Sequence, residues 1–136
     1  DSPEYIKVED FMIKNPITCK GEMIRNRCIK RMRDHHIDTL LVTDEERRLR
    51  GIVGRKALFK SQPFTTAENM MYPVTYVAHI GDNIVDVLKT IEEADISNIP
   101  VLDEKLVGLL TNSNLVSTLS KQFLTEDNIA EEGAVQ

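Results

Sequence analysis

Ile37-Asp38-Thr39-Leu40-Leu41-Val42-Thr43-Asp44 returns later in the chain as Ile96-Ser97-Asn98-Ile99-Pro100-Val101-Leu102-Asp103. The flanking segments return with it. Val8-Glu9-Asp10-Phe11-Met12 aligns with Ala67-Glu68-Asn69-Met70-Met71, Asn15-Pro16-Ile17-Thr18 with Tyr72-Pro73-Val74-Thr75, and Gly51-Ile52-Val53 with Gly108-Leu109-Leu110. The chain is therefore an internal duplication whose copies differ in length only in the loops. A lone unit of this size buries too little surface to be robustly stable, so the two copies must share a core.

Within each copy the periodicity predicts one order of elements. A short helical start leads to Pro and a first strand, Ile17-Thr18-Cys19 in one copy and Val74-Thr75-Tyr76-Val77 in the other. Ile84, Val87, Leu88, Ile91 and Ala94 follow the three-and-four spacing of a buried helical stripe, with Asp82 placed to cap its start. Ile24, Cys28 and Met32 are the matching stripe of the first copy. Two strands follow in each, Thr39–Thr43 with Arg50–Val53 and Asn98–Leu102 with Leu106–Leu110, and a closing helix near Arg55–Lys60 or Ser113–Phe123. The expected fold is α+β: two βαββα units, over 8–62 and 66–120, packed about a pseudo-twofold axis. The segment 121–136 reads as an acidic, mobile tail.

Composition is ordinary for a globular protein, 41% hydrophobic and 29% charged, and no apolar run nears the roughly 20 residues that cross a bilayer. Asp1 stands first and no signal segment follows, which reads as a piece of a longer cytoplasmic chain. Cys19 and Cys28 lack the spacing of a zinc site, and His35-His36 point to different helix faces, so no metal is expected. The charge is uneven. Residues 1–60 hold 14 Lys and Arg against 10 Asp and Glu, whereas residues 61–136 hold 3 against 12. Arg25, Arg27, Lys30, Arg31 and Arg33 form the wet side of an amphipathic helix; the alternative is a dock for an acidic partner or an anionic membrane surface. Nucleic acid is not an expected partner, since the chain is acidic overall and no aromatic platform accompanies these cations.

The duplicated pattern, with Asn15-Pro16-Ile17-Thr18, Tyr72-Pro73-Val74-Thr75, Ile99-Pro100-Val101-Leu102-Asp103 and Gly108-Leu109-Leu110-Thr111-Asn112-Ser113-Asn114, resembles the tandem cystathionine β-synthase (CBS) domain pair, or Bateman module. Glu9 to Thr18, Ile37 to Val42 and Thr111 to Val116 are similar, more narrowly, to the C-terminal regulatory region of ATP-binding subunits of osmoprotectant ABC transporters, importers of glycine betaine, carnitine or choline.

The resemblance implies a non-catalytic sensor, with an adenosine-type ligand (cyclic di-AMP, AMP or ATP) held in the cleft between repeats and no obligatory cofactor. It also implies a homodimer of modules joined to an ATPase domain and its permease at the inner face of the cell membrane, with any membrane contact peripheral. In the family a Gly-x-x-Thr-x-x-Asp element binds ribose. The second copy supplies Gly108, Thr111 and Asn114, and the first supplies Gly51, Gly54 and Ala57, so one usable site is expected. It comprises Ile17, Thr18, Ile37, Asp38 and Thr39 facing Asn98, Leu109, Thr111, Asn112 and Asn114. The pseudo-symmetric site, Val74, Thr75, Ser97 and Asn98 facing Gly54 and Ala57, is expected to be degenerate. Asn112 stands where several relatives carry a basic residue, which weakens cyclic di-AMP unless Lys56, Lys20 or a helix N-terminus compensates. Thr111 also has a plain structural reading, as cap of the following helix. Competing functions are a dimerisation module without ligand and an ionic-strength sensor in which salt screens the basic helix from lipid or from the acidic half. No nucleophile with a paired base and no phosphate loop is present, so an enzyme is not expected.

Overall fold

Each repeat keeps its own strands but lends its opening segment to the other. The computed structural model describes residues 5–116. A 3-10 turn at Val8–Asp10 precedes β1 (Ile13–Lys14), β2 (Thr18–Lys20), α1 (Arg25–His35), β3 (Thr39–Thr43), β4 (Leu49–Gly54) and α2 (Arg55–Lys60). The second repeat follows as α3 (Ala67–Met70), β5 (Ala78–His79), α4 (Ile84–Ala94), β6 (Asn98–Asp103) and β7 (Lys105–Thr111), and residues 112–116 are again helical. The expected βαββα order is present in both. The acidic tail and most of the closing helix of the second repeat lie outside the described residues.

Two sheets form, in the order β2-β3-β4 and β1-β7-β6-β5. β1 belongs to the first repeat by sequence, yet it pairs antiparallel with β7, Ile13 opposite Leu109 and Lys14 opposite Gly108. The reciprocal contact joins Tyr72 to β4. Its N–H donates to the Ile52 carbonyl at 2.9 Å, and the Ile52 N–H donates to the Tyr72 carbonyl at 3.0 Å.

The helical starts cross over in the same way. Val8 and Phe11 are buried with Ala78, Ile84, Ile99 and Leu110 in the core of the second repeat, while Ala67 and Met70 lie with Cys28, Leu40, Val42 and Val53 in the core of the first. Fully burying Val8 alone contributes about 1.5–2 kcal/mol. The crossing segments also satisfy the free N–H groups that open each long helix. Ile84 N–H donates to Ile6 O and Val8 N–H to Asp82 O; Arg25 N–H donates to Thr65 O and Ala67 N–H to Met23 O, all at 2.8 Å. A third cluster of Leu41, Ile52 and Leu106 sits between the sheets and closes the pseudo-twofold.

Two local expectations need correcting. Val74–Val77 is not a strand, because the parallel pairing with β6 begins only at Ala78, opposite Val101, where the side chain becomes buried. The cap of α4 is Asn83, whose Oδ1 accepts from Val85 N–H at 3.1 Å. Asp82 instead accepts from His79 N–H at 2.9 Å. Cys19 and Cys28 are free and buried, and their mutual hydrogen bond, then burial, pushes the Cys19 thiol well above its ordinary range. The same hydrogen bond moves the Cys28 thiol the other way, below its ordinary value.

Gly51 and Gly108 mark the closest approaches in the exchange. A Cβ on Gly51 would lie 2.7 Å from Met71 Sδ and 3.0 Å from the Tyr72 carbonyl, and one on Gly108 would meet the Met12 sulfur and the Ile13 carbonyl. Gly51→Ala is therefore expected to destabilise the chain by about 1–3 kcal/mol, the usual cost of overpacking, read from urea unfolding midpoints.

Candidate functional site

A cavity of about 820 Å³ opens where the end of β7 meets the first repeat. From the first repeat it is walled by Ile37, Asp38 and Thr39 leading into β3, by Arg33 and His36 at the end of α1, and by Arg55 and Phe59 of α2. From the second come Ser97 and Asn98 at the start of β6, Leu109 and Thr111 of β7, and Asn112 and Ser113. Seven of the expected residues meet here: Ile37, Asp38, Thr39, Asn98, Leu109, Thr111 and Asn112.

Three do not. Ile17 and Thr18 border a separate hollow with Lys20, Arg31 and Thr43. The first copy has two more residues than the second between its Met and its Pro, and Asn15 turns that excess aside in a left-handed conformation, φ 50°. Ile13, not Ile17, thereby reaches the cavity. Asn114 is spent on the fold, its Nδ2 donating to the Phe11 carbonyl at 2.5 Å and tying the helix start to the exchanged segment.

Thr111 has both of its possible roles available. Its Oγ1 accepts from Asn114 N–H at 3.0 Å, which caps the following helix, while its hydroxyl hydrogen remains free to donate into the cavity. The Asp38 carboxylate accepts from the Thr39 hydroxyl at 2.9 Å through Oδ1 and keeps its remaining acceptor capacity.

Sequence reasoning placed compensating charge on Lys20 or Lys56, but the cations at this cavity are Arg33 and Arg55. Lys20 is turned elsewhere, its Nζ donating to the Asp44 carbonyl at 2.7 Å. Arg33 was hidden inside a run read as one solvated face. Arg55 follows directly on Gly54, so the repeat alignment held a signal for it.

The pseudo-symmetric hollow is smaller, about 410 Å³, with Val74, Thr75, Ser97 and Asn98 on its wall as expected. Gly54 and Ala57 do not reach it. The Tyr72 ring lies against Gly54, with Cε1 3.8 Å from the position a Cβ would take, and Tyr72 and Tyr76 line the hollow themselves.

The CBS domain family profile matches residues 8–63 and 67–121. The chain belongs to the CBS domain family. Among curated proteins it is 27% identical over 117 residues to the glycine betaine/carnitine/choline transport ATP-binding protein OpuCA of Bacillus subtilis, a match covering 84% of this chain and 31% of that protein. The chain thus spans about a third of the length of such relatives. Among solved structures, Staphylococcus aureus OpuCA superposes with a TM-score of 0.74 at 29% identity, covering 82% of this CBS pair and 97% of that chain. The CBS domain pair of protein MJ0100, solved with 5′-methylthioadenosine and S-adenosyl-L-methionine, superposes with a TM-score of 0.77 at 25% identity, covering 87% and 98%. No helix among the described residues is long and apolar enough to cross a membrane.

Burial first, and the Asp38 carboxylate second, raise the Tyr72 phenol above its ordinary value of 10.0. A raised folded value means that stability linked to this group is intact below the unfolded value and is lost as pH climbs through the folded one. One of the three tyrosines is therefore expected to ionise late in an ultraviolet titration. Asp38→Asn should move that step down only in part, because burial is the larger cause.

Proposed function

We propose that this CBS pair is a non-catalytic sensor of an adenosine-type nucleotide, cyclic di-AMP or AMP/ATP, that controls an attached osmoprotectant ABC transporter ATPase. The observation that carries the reading is a cavity whose wall is shared between repeats. A ligand there touches α1, α2 and β3 on one side and β6, β7 and the following helix on the other. It can bias any rearrangement of the repeats through its different affinity for the two arrangements.

The chemistry of the wall suits a phosphorylated adenosine. Leu109, Ile37 and Ile13 offer an apolar slot to a base, and the Thr111 hydroxyl and Asp38 carboxylate offer a donor and an acceptor to ribose. Arg33 and Arg55 outnumber Asp38 and supply planar donors matched to phosphate oxygens, which answers the missing charge at Asn112. The MJ0100 domain pair, with its adenosine-type ligands, supports the ligand class, and the two OpuCA proteins support the parent.

In that setting the module pairs with a second copy and sits, through the ATPase domain and permease, at the inner face of the cell membrane. Phe59 and Phe64, 70% and 80% exposed, are available to such a module-to-module contact.

Calorimetric titration with cyclic di-AMP, AMP and ATP tests the reading. Saturable micromolar binding is expected for at least one of them. Thr111→Ala should weaken it about tenfold and Thr111→Ser should restore it, the scale of one hydrogen bond to ligand. Absence of binding by all three would leave dimerisation or ionic-strength sensing as the function.

A further inference from the structure

The hollow that took Ile17 and Thr18 away from the cavity has a chemistry of its own. It is about 500 Å³ in volume and gathers Lys20 from β2, Arg31 and His35 from α1, and Arg47 from the β3–β4 turn. Thr43 forms part of its wall. Thr43 is 3% exposed, the buried polar residue among those described.

The fold does not require these residues, and the second repeat shows as much. β2 and β3 pair Lys20 with Thr43 as β5 and β6 pair His79 with Leu102. α1 and α4 are each 11 residues long, so Arg31 and His35 correspond to Thr90 and Ala94. Arg47, at φ 66°, corresponds to Glu104, at φ 63°, in the matching turn. The same architecture is thus built with Leu for the buried Thr, with Thr and Ala for Arg31 and His35, and with an acid for Arg47. The Thr43 side chain shares the hollow with Lys20, Arg31 and Arg47, and no acid lines it, a setting that suits an anion.

The cations remain available. Lys20 spends one donor on the Asp44 carbonyl, and Arg31 spends one on the Thr18 carbonyl at 2.7 Å. The Asp44 carboxylate beside them is already taken by Arg48, 2.9 Å away. An adjoining hollow shares Lys20 and Arg31 and adds Arg27 against a single acid, Glu22. We propose that the hollow formed by Lys20, Arg31, His35, Thr43 and Arg47 is a second binding site, separate from the inter-repeat cavity, for a phosphate group. The two guanidinium forks match phosphate oxygens, and the Thr43 hydroxyl completes the shell. Its source is either a free metabolite or a lipid headgroup, and the test separates the two.

Titration with inorganic pyrophosphate at constant ionic strength, followed by backbone amide resonances, tests the site. Saturable shifts are expected at Thr43 and Arg47, with none at Thr111. Thr43→Val and Arg47→Gly should each weaken binding about tenfold or more, the loss of one charge-assisted hydrogen bond. Neither should lower the melting temperature, since Val suits β3 and Gly suits a left-handed turn. Nucleotide titration of the inter-repeat cavity should be unchanged in both. Sedimentation with phosphatidylglycerol vesicles separates the sources: vesicle binding lost in both variants, without a pyrophosphate response, assigns the site to lipid headgroups. No saturable response to either probe, or responses that survive both substitutions, would overturn the proposal.

Discussion

The exchange of opening segments is the constraint on which the rest of this structure depends. Val8 and Ala67 are both fully buried, each in the core of the repeat it does not belong to by sequence. The same segments supply the carbonyls that receive the first N–H groups of α1 and α4. Neither long helix is complete at its start, and neither core is filled, without the other repeat. Unfolding one repeat would expose the apolar surface of both, so the two small units act as one cooperative body. This answers the size argument made from the sequence, in which a unit of such length cannot stand alone.

The exchange also makes the cavity. β1 occupies the outer edge of β7, and this draws the first repeat across the end of the second repeat's sheet. Ile13 and Leu109, opposed in that pairing, both line the cavity wall. Asn114 contributes from the other side by holding the Phe11 carbonyl, so a residue first read as a ligand contact acts as a clamp on the segment that shapes the site. Its neighbour Thr111 serves helix and cavity together, because a hydroxyl accepts one hydrogen bond and donates another.

Much of this was legible from the duplication. Short apolar runs bounded by charged turns gave β3, β4, β6 and β7, of which β3, β4 and β6 bury consecutive residues and so both faces, and the three-and-four spacing gave α4, which buries one. What could not be read was partner choice. A short segment such as Ile13-Lys14 carries no mark of which repeat it will join, since an antiparallel pairing needs only free backbone groups and a compatible pleat. The error at Ile17 and Thr18 has the same root: an extra pair of residues in a loop leaves the pattern intact but moves a side chain from one hollow to another. Arg33 and Arg55 were missed because helix ends were treated as solvent, when the ends of α1 and α2 are where the second repeat arrives. Exposed charge has no periodic signature that separates a wet face from a cavity wall.

An internal duplication supplies a comparison that a single domain lacks. Where the two copies agree, as at Gly51 and Gly108 or in the matched helix-start hydrogen bonds, the shared feature is what the architecture demands. Where they differ at equivalent positions, as at Thr43 and Leu102, folding has been satisfied either way and the difference must answer to something else. β7 connects the places where such differences collect. Its Val107 carbonyl accepts from Asn15 N–H at 3.4 Å, and its Leu106 N–H donates to the Arg47 carbonyl at 3.1 Å, so both loops of the basic hollow rest on it. Five residues beyond Leu106 the strand reaches Thr111 and the cavity. The apolar cluster of Leu41, Ile52 and Leu106 packs on the same strand, so β7 is held against the other sheet as well as within its own.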